Sequence, residues 1–216
     1  MALGFPFEAS IRSLLPLVDK FVVAVGKGAD DTLARVKAIG DPKIRIIETI
    51  WNERMADRGF VYSQQKMIAQ CSCTGDWVFY LEGDEAVHED EIAVIRASVE
   101  RHQGNPHAAL ANAHTYHYGW IRRNEDMQKK FDKVGKYWAA APAKIHYSQF
   151  DRRALAPFTG THPNAAKHWL ATVAEPQLRL DACCRPTRKE NKYHLMRQIE
   201  TLTWLDFSHE HFKLVA

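Results

Sequence analysis

Three short apolar runs, Phe21 to Val25, Ile44 to Ile50 and Trp77 to Leu81, alternate with stretches of helical periodicity, and this alternation narrows the possible folds more than any other feature. Strands that run the same way need a crossover between them, so the order predicts an α/β chain: a mostly parallel central sheet with helices on both faces. Ahead of the first run, Ile11, Leu14 and Leu15 recur at helical spacing after Glu8 and Ser10, and Pro16 stops that helix. Gly26-Lys27-Gly28 breaks the first strand, after which Asp30 or Asp31 caps a helix carrying Leu33, Val36 and Ile39 and stopped by Gly40. Ser63 to Thr74 reads as a helix with Met67, Ile68 and Cys71 inward and Gly75 as its stop. Glu89, Asp90 and Glu91 open a further helix with Ile92, Ile95 and Val99 on one face, their charge favourable beside its positive end.

Past Asn105 the periodicity weakens. Strands are expected at Ala108 to Tyr118 and Ala143 to Tyr147, with a polar, basic segment, Arg122 to Lys136, between them. Phe158 to Pro163 reads as a loop, and Leu195, Ile199, Leu202 and Leu205 as a helical stripe. With no internal repeat or linker, the expectation is one domain over residues 1–216, divided into a first half, 1–105, and a second, 106–216.

Composition removes several function classes. At 216 residues and 46% hydrophobic content the chain can bury a sizeable core. Its 29 basic and 26 acidic residues leave a formal charge of +3 without a Lys/Arg stripe, which argues against nucleic acid as a partner. No apolar run reaches the roughly 20 residues of a membrane span and no signal-peptide pattern opens the chain, so the cytoplasm is the expected compartment. Cys71, Cys73, Cys183 and Cys184 have neither disulfide-framework nor zinc spacing and read as reduced thiols. The histidines are scattered singly, and a lone histidine is more often structural than a ligand.

Chemistry concentrates between Asp76 and Glu91, where an apolar run empties into clustered carboxylates. Glu82 and Asp84 flank Gly83, which lets the chain turn where the acids crowd. Hard oxygen ligands at the carboxyl end of a strand suit Mg²⁺ or Mn²⁺, which takes much of its shell from water and a substrate's phosphates. The other reading is a solvated acidic turn before a helix.

Val22-Val-Ala-Val-Gly-Lys-Gly-Ala-Asp-Asp-Thr32, followed by Thr74-Gly-Asp-Trp77 leading into Leu81-Glu-Gly-Asp-Glu85, resembles the nucleotide-sugar half of bacterial family-2-like glycosyltransferases over about residues 5 to 103. The resemblance implies the A-type glycosyltransferase fold (GT-A-like), with Glu82 and Asp84 holding a divalent ion against a nucleoside diphosphate sugar and Lys66 near the phosphates. Gly26 falls at the end of the strand from which the family reads the nucleotide, although the family commonly carries acids where Val25 and Gly26 stand. Glu82 replaces a usual aspartate. The family also opens with a strand ahead of the first helix, whereas this chain starts almost at the helix, so the expectation includes a missing N-terminal strand.

By the same likeness the reaction is transfer of a sugar, hexosyltransferase-like and inverting, to an acceptor hydroxyl on a saccharide or a lipid-linked acceptor; the latter goes with peripheral association at a membrane surface. Glu125 and Asp126 are candidates for the carboxylate base such a transfer needs. His162 is a candidate third metal ligand, as a loop histidine is in some related transferases, and His88 is nearer in sequence. Tyr116, Tyr118, Trp120 and Trp138 offer faces for an acceptor sugar, but such aromatic density more often serves a core. Two other classes compete: a noncatalytic binding protein on the same scaffold, and a metal-dependent phosphohydrolase or nucleotidyltransferase, whose acidic strand end would look alike.

Overall fold

A computed structural model describes residues 4–55, 59–104, 111–121, 124–135 and 158–173, with 188, 192, 195, 198, 199, 202 and 203. The chain divides into two compact units, Met1–Ile145 with Gly160–Gln177, and His146–Thr159 with Leu178–Ala216. In the second unit, residues 195, 199 and 202 of the leucine stripe are helical, with Leu195 and Leu202 exposed. Leu205, the expected strand Ala143 to Tyr147, Trp138, Cys183 and Cys184 lie outside the described residues.

The first unit is mixed α/β. In chain order it holds α1 (Phe7–Leu14), β1 (Phe21–Gly26), α2 (Thr32–Ala38), β2 (Ile44–Thr49), α3 (Phe60–Cys71), β3 (Glu85–Val87), α4 (Ile92–Arg101), β4 (Thr115–His117), α5 (Asn124–Gly135) and α6 (Asn164–Val173), with 3₁₀ turns at Glu53–Met55 and Glu89–Glu91. β1 and β2 pair in parallel, from Phe21 opposite Ile44 to Gly26 opposite Thr49. Their crossover is α2, where Asp30 Oδ1 accepts the Thr32 N–H at 3.2 Å and Gly40 ends the helix with a left-handed φ of +70°. β3 and β4 form a separate antiparallel pair.

Helix α1 organises the packing because its apolar residues point three ways. Phe7, Ile11 and Leu15 meet Val25 and Val36; Leu14 meets Val87 and Ile95; Ala9 meets Ala86, Tyr118 and Ala166. Two buried serines add direction to this contact. Ser10 Oγ donates to the carbonyl of Glu82 at 2.8 Å, and Ser13 Oγ accepts the N–H of Val87 at 3.1 Å. The helix thereby grips both ends of the acidic turn.

The structure departs from the sequence expectations at several elements. Trp77 to Leu81 enters no ladder, and among the described residues its backbone makes no backbone hydrogen bond; Val78, Phe79 and Tyr80 stay exposed. An apolar run becomes a strand only beside another strand's edge, and the ladder instead forms just beyond the turn, at Glu85–Val87. Among the described residues the parallel sheet is accordingly a single pair of strands. Helix α3 starts earlier than its pattern suggests and turns Val61 and Gln65 inward, leaving Met67 59% exposed and Cys71 at the surface. Of the expected long strand at Ala108 to Tyr118, residues 111–118 are described, and among the described residues it pairs only over Thr115–His117. The polar segment after Arg122 contains helix α5, whose Met127 is fully buried. No helix among the described residues is long and apolar enough to cross a membrane.

Candidate functional site

The acidic turn is built by its own residues and held by α1. Glu85 Oε2 accepts the Glu82 N–H at 2.7 Å and the Glu85 N–H returns to the Glu82 carbonyl at 3.1 Å, closing the chain around Gly83. Glu85 thus serves the backbone. Glu82 and Asp84 are left to face other groups.

Glu82 Oε1 accepts from Lys66 Nζ at 2.6 Å and from the Tyr80 hydroxyl at 3.1 Å, and the ammonium also lies 5.0 Å from the centre of the Tyr80 ring. Burial pushes the Glu82 carboxyl up, but the Lys66 hydrogen bond and charge, the Tyr80 hydroxyl and the field of His117 outweigh it, and the group ends below its ordinary value. Lys66 is raised in turn, first by its hydrogen bond to Glu82. Asp84 is more deeply set, with its side chain 6% exposed and Oδ2 lying 3.6 Å from both Lys130 Nζ and His117 Nε2. Its carbonyl accepts the Tyr118 N–H at 2.7 Å, which ties the turn to the end of β4. Gly119 keeps this corner open: a Cβ there would stand 2.6 Å from His117 Nε2 and 3.1 Å from Asp84 Oδ2. Lys130 also donates to the Gly119 carbonyl, so α5 is fastened to the acidic turn.

Among the residues expected from the sequence, Lys66 and Glu82 are brought into contact, and Asp84 stands next to them along the turn. Gly26 closes β1, where its missing side chain lets the Trp51 indole lie against the backbone. Asp126 sits in the first turns of α5, paired with Lys129 at 3.3 Å and one helical turn from Lys130. The side chain of Glu125 lies outside the described residues. His162 has its Nδ1 3.2 Å from the Tyr118 hydroxyl, and burial lowers the pKa of its ring. His88 is structural: it is buried, with Nε2 2.9 Å from Thr161 Oγ1 and Nδ1 accepting the Asp90 N–H. Of the aromatic stretch, Tyr118 belongs to the core and Trp120 is 39% exposed against Phe131.

Among the described residues no three His, Cys, Asp or Glu side chains converge as a metal cage. Each of the two carboxylates instead faces an ammonium group, Glu82 that of Lys66 and Asp84 that of Lys130. Lys130 and His117 are site residues that sequence reasoning missed. The available signal was Met127, Phe131 and Val134, whose helical spacing places Lys130 on a folded element. No protein-family model, curated protein or solved structure matches the chain.

Proposed function

We propose that this chain is a glycosyltransferase of GT-A-like architecture, using a nucleoside diphosphate sugar and transferring the sugar, with inversion, to a saccharide or lipid-linked hydroxyl. One observation carries the reading: Glu82 and Asp84 stand on either side of Gly83 in a turn closed by hydrogen bonds between Glu82 and Glu85. Glu82 and Asp84 would hold Mg²⁺ or Mn²⁺, which when bound neutralises charge growing on the diphosphate leaving group. Lys66 then has its ammonium beside the leaving group, contributing fixed positive charge in a partly desolvated place. Asp126, one turn from Lys130 on α5, is the base that accepts the acceptor's proton.

A noncatalytic binding protein is the second reading, favoured by the ion pairs that already balance both carboxylates. Calorimetric titration of nucleoside diphosphates in Mn²⁺ tests the site. Binding is expected in the parent protein and should fall at least about tenfold in Glu82→Ala and in Asp84→Asn. Tight binding that is indifferent to Mn²⁺ and to both substitutions contradicts the proposal. Turnover of a bound donor then separates the enzyme from the noncatalytic reading.

A further inference from the structure

We infer that Lys66 and Lys130 are exchangeable counterions of the acidic turn: they neutralise Glu82 and Asp84 until a divalent cation displaces them, and they then pair with the phosphates of the donor, so that cation and diphosphate enter only together. The inference rests on the transferase reading and adds Lys130 as a phosphate contact and a rule for how the site is filled.

The protein balances the charge of the turn with its own side chains. Lys66 Nζ stands 2.6 Å from Glu82 Oε1, and Lys130 Nζ stands 3.6 Å from Asp84 Oδ2. The two carboxylates share one neighbourhood, because His117 lies 3.6 Å from Asp84 Oδ2 and its charge also reaches Glu82. A pair of ammonium groups carries the charge of a single divalent cation, so one can replace the other without changing the balance at the turn. The displaced lysines then need an anion, and a diphosphate has the charge to receive both.

Burial makes the exchange concerted. The Asp84 carboxylate is almost wholly buried and Lys130 is mostly so, and a charge in such surroundings is costly once its partner has gone. A cation arriving alone would leave displaced ammonium groups beside it, and a diphosphate arriving alone would meet lysines already committed to carboxylates. By linkage, each ligand raises the affinity of the other by the same factor.

Both lysines have contacts that keep them at the turn after they release a carboxylate. Lys130 donates to the Gly119 carbonyl at 3.2 Å and lies 5.3 Å from the centre of the Phe5 ring, while Lys66 lies 5.0 Å from the centre of the Tyr80 ring. An ammonium has three N–H donors, so Lys130 can turn one to a phosphate and keep Gly119. The two come from different helices, Lys66 from α3 and Lys130 from α5, and so reach the turn from separate elements.

The test reads two affinities that should move in opposite directions. Binding of Mn²⁺ alone is followed by loss of the free ion's electron spin resonance signal, and binding of nucleoside diphosphates (uridine, guanosine and adenosine) in Mn²⁺ by calorimetry. In Lys66→Met and in Lys130→Met the affinity for Mn²⁺ alone should rise about fivefold or more, the effect of removing one fixed charge beside a carboxylate. Nucleoside diphosphate affinity should fall about tenfold or more in the same variants. Lys37→Met, which takes an equal charge from the exposed pair with Glu48, should change neither. Lys66 is half-exposed, so Lys66→Met decides alone should Lys130→Met not fold. An affinity for Mn²⁺ alone that is unchanged or lower in folded Lys66→Met overturns the exchange while leaving the transferase reading in place. A parent protein that binds Mn²⁺ alone as tightly as it does beside a nucleoside diphosphate also overturns it. Failure of the parent protein to bind any of the nucleoside diphosphates overturns both.

Discussion

Glu82 stays ionised because Lys66 and Tyr80 outweigh its burial, and this has a sign that can be measured. A carboxyl whose folded pKa lies below its ordinary 4.5 contributes stability that is fully present above that value and lost as pH falls through the depressed one. Removing the ammonium in Lys66→Met should therefore flatten the loss of thermal stability between about pH 6 and pH 3. An unchanged pH profile would sink that assignment. His162 works in the same direction at higher pH, since burial holds it below 6.5: Thermal melts from about pH 7.5 to 5 should show less acid destabilisation in His162→Asn than in the parent chain. Asp84 is the more deeply buried of the two carboxylates. With the carboxylate almost wholly buried, Lys130→Ala should cost about 1–3 kcal/mol in denaturant unfolding. At this scale the sequence is readable where the chemistry is local. Lys66, Glu82 and Asp84 were visible because a turn and a neighbouring helix carry them, whereas His117 and Lys130 reach Asp84 from elements distant in the chain, a juxtaposition that no local pattern encodes.

Elements were readable in proportion to how much of their pattern is fixed by local rules. α2 follows its capping acids and Gly40, and β1 and β2 follow their apolar runs, because turns, caps and β-branched residues act over a few positions. The facing of α3 and the fate of Trp77 to Leu81 were not readable, since both depend on what lies alongside. Tertiary packing turned Gln65 inward and Met67 outward, and the aromatic run found no ladder. α1 carries a heavy burden, for its faces meet three clusters and its serines hold the acidic turn. Leu14→Ala, at 1% exposure, should therefore destabilise the protein by about 2–5 kcal/mol. A cost near zero in equilibrium unfolding would mean that α1 does not organise the unit.

For the molecule as a whole, a mixed α/β unit presents an acidic turn, two facing ammonium groups and an aromatic pair at the end of a small parallel sheet. The chemistry proposed for it separates binding from turnover. Asp126→Asn should retain donor affinity while lowering transfer at least about a hundredfold, the usual contribution of a positioned base. Equal turnover in that variant would move the base elsewhere. The most direct measurement is release of nucleoside diphosphate from a panel of nucleoside diphosphate sugars in Mn²⁺, followed for the parent protein and for Asp84→Asn shown by thermal melting to be folded. Release from at least one donor, with a loss of about a hundredfold or more in the variant, is the predicted result. Release that persists unchanged in Asp84→Asn, or none from any donor, contradicts the account.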